Sequence, residues 1–209
     1  MSPRGTGVFG GTFDPIHLAH LALAEAAREA GDLARVLFVP AAVQPFKQDI
    51  TISSAADRLA MVELAIAGNP AFAASRVELD RAGPSYTADT LEALAADPAT
   101  GELSLILSAE TFLQLPRWRD PDRIVALARL IVAPRDGYPE AGPAFLAERF
   151  GAAAPRAIFL DGPRLRISAS ELRTRATAGH SLRYLVPDAV AAYIGDHDLY
   201  RPDRRDDRS

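Results

Sequence analysis

The chain has 209 residues, a length that suits one domain with a sizeable buried core. Apolar residues make up 48% and charged residues 24%, which is the composition of an ordinary globular protein. The formal net charge of −4 gives no basic excess, so a nucleic-acid partner is not expected. Because the sequence contains no cysteine, disulfides and cysteine-based zinc sites are excluded.

The sequence shows neither a signal peptide nor an apolar run of membrane-spanning length. A cytoplasmic protein with no membrane contact is therefore expected. The sequence does not set the oligomeric state, and a homo-oligomer stays open.

Short apolar runs alternate along the chain with segments of helical periodicity. The apolar runs predict strands at residues 8–9, 35–39, 76–79, 103–107, 130–133 and 157–160. The periodic segments predict helices at residues 15–30, 55–67, 88–96, 121–128, 145–150, 169–178 and 187–195. This alternation predicts an α/β fold with a doubly wound, mainly parallel sheet and a small C-terminal helical piece from about residue 167. Residues 1–200 are predicted to form one domain, followed by a solvated tail over 201–209.

The first strand leads into two glycines and a helix-start signature. Gly10 and Gly11 let a ligand approach the main chain closely. Asp14 followed by Pro15 predicts an N-cap and the first helical residue, and Gly31 predicts the C-cap. Free backbone N–H groups and the positive helix end beside a glycine loop make an anion site, and phosphate is its natural occupant.

Two of the four histidines of the chain lie at this helix start. His17 and His20 are three residues apart, so they share one helix face. Imidazole N–H groups can donate to phosphate oxygens. A metal pair is the alternative, but no third ligand stands nearby and the zinc-protease pattern needs another spacing and a glutamate. The pattern therefore favours phosphate binding.

A later segment, residues 166–173, predicts a second helix start. Ser168 with Glu171 fits a capping box, which is the ordinary structural interpretation. Ser168, Ser170 and Arg173 also offer two hydroxyls and a cation that suit phosphate. This second interpretation depends on the partner loop at residues 10–20.

Together these segments resemble the nucleotidyltransferase superfamily with the His-x-Gly-His motif, and more narrowly the bacterial nicotinate-nucleotide adenylyltransferases. The resemblance covers nearly the whole chain. Its segments are GGTFDPIHLAH at 10–20, PSYT with TL at 84–91, LPRW at 115–118, RDGY at 135–138, ISASELR at 167–173 and LVP through LY at 185–200. It implies a Rossmann-like nucleotidyltransferase fold. It also implies an enzyme of NAD biosynthesis that joins ATP and nicotinate mononucleotide into deamido-NAD and pyrophosphate.

The resemblance also implies residue roles. ATP contacts are expected from Gly10, Gly11, Thr12, Phe13, His17, His20, Ile167, Ser168, Ser170 and Arg173. Among these, His17, His20 and Arg173 are expected to be catalytic. Thr87 and Trp118 would form the nicotinate pocket, while Lys47 and Arg135 would face the mononucleotide phosphate. Mg²⁺ would be held mainly by the ATP phosphates, with no protein ligand named.

The sequence departs from the family pattern at several positions. Ala19 replaces the motif glycine, Ala41 a usual asparagine and Phe46 a usual histidine, and residues 108–110 read SAE where G-x-D is common. All but the first lie on the acceptor side. Three alternatives therefore stay open: the same chemistry on nicotinamide mononucleotide or another phosphate acceptor, a non-catalytic nucleotide-binding domain, and a fragment related to class I tRNA synthetases.

Overall fold

The computed structural model describes residues 5–42, 53–139, 142–151 and 156–201. Over these residues, six strands form one sheet in which every neighbouring pair is parallel. The strands are β1 Thr6–Gly11, β2 Arg35–Pro40, β3 Phe72–Ala74, β4 Leu103–Ser108, β5 Ala128–Ala133 and β6 Ala157–Phe159. Their spatial order is β3-β2-β1-β4-β5-β6, which confirms the predicted doubly wound α/β sheet.

Helices connect the strands and close the described part of the chain. They are α1 Leu18–Ala30, α2 Ala55–Ile66, α3 Thr87–Ala95, α4 Ala109–Gln114, α5 Pro121–Leu127, α6 Pro143–Phe150, α7 Ala169–Thr177 and α8 Asp188–Asp196. Two short 3₁₀ helices lie at Pro98–Thr100 and Leu115–Arg117. Of these, α4 and the 3₁₀ helices were not predicted. Among the helices described, none is both long and apolar enough to cross a membrane.

The sheet is covered on both faces, which explains its uninterrupted apolar strands. Successive residues of a strand point to opposite faces. Accordingly, Val8 and Leu37 pack in one apolar cluster, whereas Phe9 and Phe38 pack in the other. These residues are also partners across the β1–β2 pair. Such double coverage is typical of parallel sheets.

The predicted strand at residues 76–79 is wrong. The third strand is the earlier segment β3, which pairs with residues 36–38. Residues 76–80 form a turn instead, in which the Asp80 N–H donates to the Arg76 carbonyl at 2.9 Å. The apolar signal came from Val77, which packs against the core from this turn. Burial rather than strand pairing therefore accounts for the pattern.

Hydrogen bonds join the C-terminal segment to helices α1 and α2. The Leu18 N–H at the start of α1 donates to the Leu185 carbonyl at 3.0 Å. The Tyr193 hydroxyl on α8 donates to Asp57 Oδ1 on α2 at 2.9 Å. Apart from Arg201, the predicted tail at 201–209 lies outside the described residues.

Candidate functional site

The site lies where the winding of the sheet reverses, between β1 and β4. In doubly wound sheets ligands bind outside the carboxyl ends of the strands at this point. Gly10 and Gly11 are the last two residues of β1, so they end the strand rather than follow it. A Cβ on Gly11 would meet the Phe13 ring at 2.9 Å, whereas a Cβ on Gly10 would meet nothing within 4 Å. Local packing therefore requires a glycine at position 11 but not at position 10, which borders open space.

Phe13 fixes the loop over residues 12–15. Its backbone is left-handed, with φ of 51°, and its ring is buried. The ring makes edge contacts with Phe9 at 5.6 Å and with His20 at 5.1 Å between centroids. The loop is therefore anchored to the core beside the first turn of α1.

Asp14 does not cap α1, which corrects the predicted helix start. The helix begins at Leu18 with His17 as the N-cap residue, while Gly31 is the C-cap as predicted. Asp14 is 0% exposed, and its carboxylate accepts from the Tyr200 hydroxyl at 2.7 Å and from the Ser53 N–H at 3.3 Å. Tertiary hydrogen bonds thus occupy the carboxylate that the local sequence assigns to the helix end.

His17 and His20 form a stacked pair at the start of α1. Their ring centroids lie 3.6 Å apart with an interplanar angle of 16°. The His17 backbone N–H donates to His20 Nδ1 at 3.2 Å. Because Nδ1 of His20 accepts this bond, the proton of its neutral ring is on Nε2. His20 therefore keeps one N–H donor for another acceptor.

The environment holds both imidazoles neutral. His17 is 5% exposed, and burial, followed by the charge of Arg135, lowers its pKa from 6.5 to about 4. Burial, the neighbouring His17 and Arg135 lower the pKa of His20 well below its usual value. Within the described part of the chain, His17 Nδ1 is buried without a hydrogen-bond partner. A buried polar atom without a hydrogen-bond partner costs about 1–3 kcal/mol.

Helix α7 brings the second predicted phosphate segment to this loop. Ser168 is its N-cap and accepts from the Glu171 N–H at 3.3 Å, as the sequence predicts. Arg173 Nη1 donates to the Asp14 carbonyl at 2.8 Å, across 159 residues of sequence. Ile167 packs against the apolar core. A cleft of about 460 Å³ is lined by Ser170, Arg173, Thr174, Thr177 and Ala178.

The predicted nicotinate-pocket residues lie on neighbouring segments. Thr87 is the first residue of α3, and Trp118 directly follows the second 3₁₀ helix. Arg119 joins the two segments, because its guanidinium lies over the Tyr86 ring at 4.5 Å and 3.9 Å from Asp89. Trp118 is only partly buried and packs against the apolar core.

Arg135 lies near the imidazoles, since its charge contributes to lowering both histidine pKa values. It is 47% exposed, and its Nε lies 2.9 Å from Glu110 Oε2, one of the residues that depart from the family pattern. Lys47 and Phe46 fall outside the described residues.

Sequence reasoning missed the buried Arg58. It is 1% exposed on α2 and donates to the Thr12 carbonyl at 2.9 Å and to the Ser53 carbonyl at 3.2 Å. Burial lowers its pKa, and the charge of Asp14 opposes this effect. The sequence pattern that could have identified it is an arginine on the buried, otherwise apolar face of α2.

Comparisons with known proteins show the family of the chain. A family model described as cytidylyltransferase-like matches residues 8–175. A Roseiflexus sp. strain RS-1 protein named probable nicotinate-nucleotide adenylyltransferase is 50% identical over 201 residues, spanning 96% of this chain and 100% of that protein. The chain belongs to the nicotinate-nucleotide adenylyltransferase family. A second member with the same name, from Herpetosiphon aurantiacus, is 48% identical over 194 residues, which are 93% of this chain and 97% of the relative.

Solved structures share the fold of this family member. The Plasmodium falciparum nicotinic acid mononucleotide adenylyltransferase complexed with NaAD matches with a TM-score of 0.78 at 17% identity, over 94% of this chain and 97% of that one. A Vibrio parahaemolyticus structure named as a putative nicotinate-nucleotide adenylyltransferase matches with a TM-score of 0.64 at 16% identity, over 95% and 96%. At such identities the likeness shows the α/β nucleotidyltransferase fold.

Proposed function

We propose that this chain transfers the adenylyl group of ATP to nicotinate mononucleotide, giving deamido-NAD and pyrophosphate for NAD biosynthesis. The observation that carries the proposal is the stacked pair His17–His20, with a buried nitrogen that lacks a partner among the described residues. The pair lies at a helix N-terminus, and the His20 ring contacts Phe9, the chain neighbour of Gly10, where an added Cβ would meet nothing within 4 Å. The names of relatives that are 48–50% identical support the choice of acceptor.

On the ATP side, the end of β1 and loop 12–15 would lie against the nucleotide. Gly10, Gly11, Thr12 and Phe13 supply the main chain of this surface. His20 would donate through Nε2, and His17 would use its buried ring nitrogen once a ligand is present. Donors placed where charge develops are the main source of catalysis in phosphoryl-type transfers.

The start of α7 would receive the departing pyrophosphate. Ser168 and Ser170 offer hydroxyls at this helix start, with their oxygens 3.4 Å apart, and Ile167 positions the segment on the core. Arg173 lines the 460 Å³ cleft and would neutralise the charge that builds up on the leaving group.

The reaction needs alignment more than proton transfer. An oxygen of the mononucleotide phosphate attacks the α-phosphorus of ATP, and the bond from that phosphorus to the bridging oxygen breaks as pyrophosphate leaves. The attacking phosphate is already ionised near neutral pH, so no general base is required. His17, His20 and Arg173 would then act by charge stabilisation and orientation.

On the acceptor side, Thr87 and Trp118 would form the nicotinate pocket. A partly exposed indole offers an aromatic surface on which a pyridine ring can stack. Lys47 and Arg135 would face the mononucleotide phosphate, where their positive charges suit an anion.

Mg²⁺ belongs to the proposal as a companion of ATP. The cleft on α7 is lined by hydroxyl and guanidinium side chains, and two imidazoles lie at the start of α1. These donors fit phosphate oxygens rather than a metal ion. In the parts of the chain that the structure describes, no group of three or more histidine, aspartate or glutamate side chains is placed to hold a metal. The ATP phosphates would therefore supply most of its ligands, as Mg²⁺ prefers. Bound there, the ion would neutralise phosphate charge.

The test is product identification by mass spectrometry after incubation with ATP, Mg²⁺ and either nicotinate or nicotinamide mononucleotide. We expect deamido-NAD and pyrophosphate with nicotinate mononucleotide, and much slower turnover with nicotinamide mononucleotide. His20→Asn should lower kcat about a hundredfold, because a positioned donor is lost. His197→Asn, at the exposed end of α8, is the matched control and should keep wild-type turnover. Normal turnover in His20→Asn, or no product in the wild type, would refute the proposal.

A further inference from the structure

The conformation of loop 12–15 is set by side chains outside it. Phe13 has a left-handed backbone that a bulky residue adopts only when its surroundings hold it. On one side of Phe13, Arg58 donates to the Thr12 carbonyl at 2.9 Å. On the other side, Arg173 donates to the Asp14 carbonyl at 2.8 Å. Two guanidinium groups from α2 and α7 therefore fix the carbonyls that flank the left-handed residue.

The Asp14 side chain adds a third attachment. Its buried carboxylate accepts from the Tyr200 hydroxyl at 2.7 Å, across 186 residues of sequence. Hydrogen bonds to an ionised acceptor are stronger than those between neutral groups. The other oxygen accepts from the Ser53 N–H at 3.3 Å, so the same carboxylate also fixes the start of α2.

Tyr200 is itself held in place at both ends. The Thr177 hydroxyl on α7 donates to the Tyr200 carbonyl at 2.6 Å. The ring packs against the apolar core, and its hydroxyl lies 4.0 Å from Met61 Sδ on α2. Tyr200 therefore contacts both α7 and α2, and its side chain reaches Asp14 in the loop.

We propose that Tyr200 and Arg58 are positioning residues for the adenylyl transfer. They fix loop 12–15 so that Gly10 and the two imidazoles meet the ATP phosphates in one arrangement, although neither side chain need touch the substrate. The proposal rests on the proposed function. It goes further by assigning a role in ATP binding to a side chain near the C-terminus and to a buried arginine.

The chain contains a matched control for Tyr200. Tyr193 is also a tyrosine of the C-terminal segment, and its hydroxyl donates to an aspartate on α2, Asp57, at 2.9 Å. The bond is similar in length and kind to that between Tyr200 and Asp14, but its acceptor lies on α2 rather than in the loop. Comparing the two phenylalanine variants therefore separates loop positioning from general attachment of the C-terminal helices.

The experiment measures the Kd of a non-hydrolysable ATP analogue by calorimetry, together with steady-state KM values for ATP and nicotinate mononucleotide. Tyr200→Phe should raise the Kd and the KM for ATP about tenfold, because loss of one bond shifts the loop. The KM for nicotinate mononucleotide should stay near the wild-type value. Tyr193→Phe should leave all three within about twofold of wild type, since its bond does not reach the loop.

Arg58→Lys provides a second, independent arm. Lysine keeps the charge but lacks the planar fork that reaches both the Thr12 and Ser53 carbonyls. It should weaken ATP binding in the same direction as Tyr200→Phe. The proposal is overturned if Tyr200→Phe and Arg58→Lys lower only the melting temperature and bind the ATP analogue as Tyr193→Phe does.

The two proposals fail in different ways. If the wild-type protein binds the ATP analogue but makes no deamido-NAD, the proposed function fails while the analogue titration still tests Tyr200 and Arg58. If the wild type turns over normally and the variants match Tyr193→Phe, only the positioning roles fail.

Discussion

The rings of His17 and His20 have centroids only 3.6 Å apart, so a charge on one ring affects protonation of the other. Protonating either ring places a charge in a buried site near Arg135, and the second ring then meets a like charge as well. The free protein therefore keeps both rings neutral at pH 7. Each neutral ring carries one N–H group and no charge.

The neutral pair makes stability depend on pH. The folded pKa of His17, about 4, lies below its usual 6.5, so between these values the unfolded chain binds more protons than the folded one. The free energy of unfolding should fall as pH drops from 6.5 to 4, by on the order of 3 kcal/mol from His17 alone. Urea titrations across this range should show a steeper fall for wild type than for the His17→Gln, His20→Gln double variant. Equal slopes would show that the rings are not held neutral.

The proposed role of Gly10 in ATP binding can be tested without disturbing the fold. It has no positive φ, and a Cβ would meet nothing within 4 Å, so the fold itself does not need glycine here. Gly68 shares both properties at the end of α2 and serves as the control. Alanine at either position should raise the free energy of unfolding by about 0.5 kcal/mol, through the unfolded chain. Only Gly10→Ala should weaken ATP binding, by about tenfold or more, measured by calorimetry.

The same affinity in the Gly10→Ala and Gly68→Ala variants would mean that no nucleotide approaches the end of β1.

At the scale of elements, buried apolar runs were the most informative part of the sequence. β2 and β4 were predicted nearly residue by residue, because both of their faces are covered and almost every position is apolar. The start of α7 was also predicted, since a serine cap acts on its own helix. Local signals of this kind can be interpreted without knowing the rest of the fold.

Predictions failed where a tertiary contact replaced a local one. Asp14 looks like an N-cap, but its carboxylate bonds to Tyr200 and Ser53, and α1 starts only at Leu18. The segment at 76–79 looks like a strand, yet Val77 is apolar because it packs from a turn. In both cases the deciding partner lies far away in the sequence or outside the segment.

The cap of α7 can be tested against that of another helix. Ser168 accepts from the Glu171 N–H, and Ser54 accepts from the Asp57 N–H at the start of α2. Alanine at either position should cost about 1 kcal/mol of unfolding free energy. If the start of α7 binds triphosphate, only Ser168→Ala also raises the Kd for the ATP analogue. A Kd matching that of Ser54→Ala would leave Ser168 as a helix cap alone.

At the scale of the whole molecule, the site is assembled from both ends of the chain. The Arg173–Asp14, Tyr200–Asp14 and Leu18–Leu185 bonds join the C-terminal helices to the first loop. Sequence patterns led to the prediction that Arg173 binds phosphate, but they could not show that it donates to the Asp14 carbonyl of the first loop. These contacts support the assignment of residues 1–200 to one domain, which stays a prediction.

A single domain should unfold as one unit. Differential scanning calorimetry should show one transition with equal calorimetric and van't Hoff enthalpies, because α7 and α8 share buried contacts with the sheet. An ATP analogue at about a hundredfold over its Kd should move the whole transition, with about 2.7 kcal/mol of stabilisation. A separate transition for the C-terminal helices, unaffected by the analogue, would contradict the assignment.

The most direct test of the central claim is a crystal structure with a non-hydrolysable ATP analogue bound. We predict ring nitrogens of His17 and His20 within about 3.2 Å of phosphate oxygens, with the nucleotide against the main chain of Gly10. A triphosphate bound elsewhere, with His17 Nδ1 still buried and unpaired, would contradict the account.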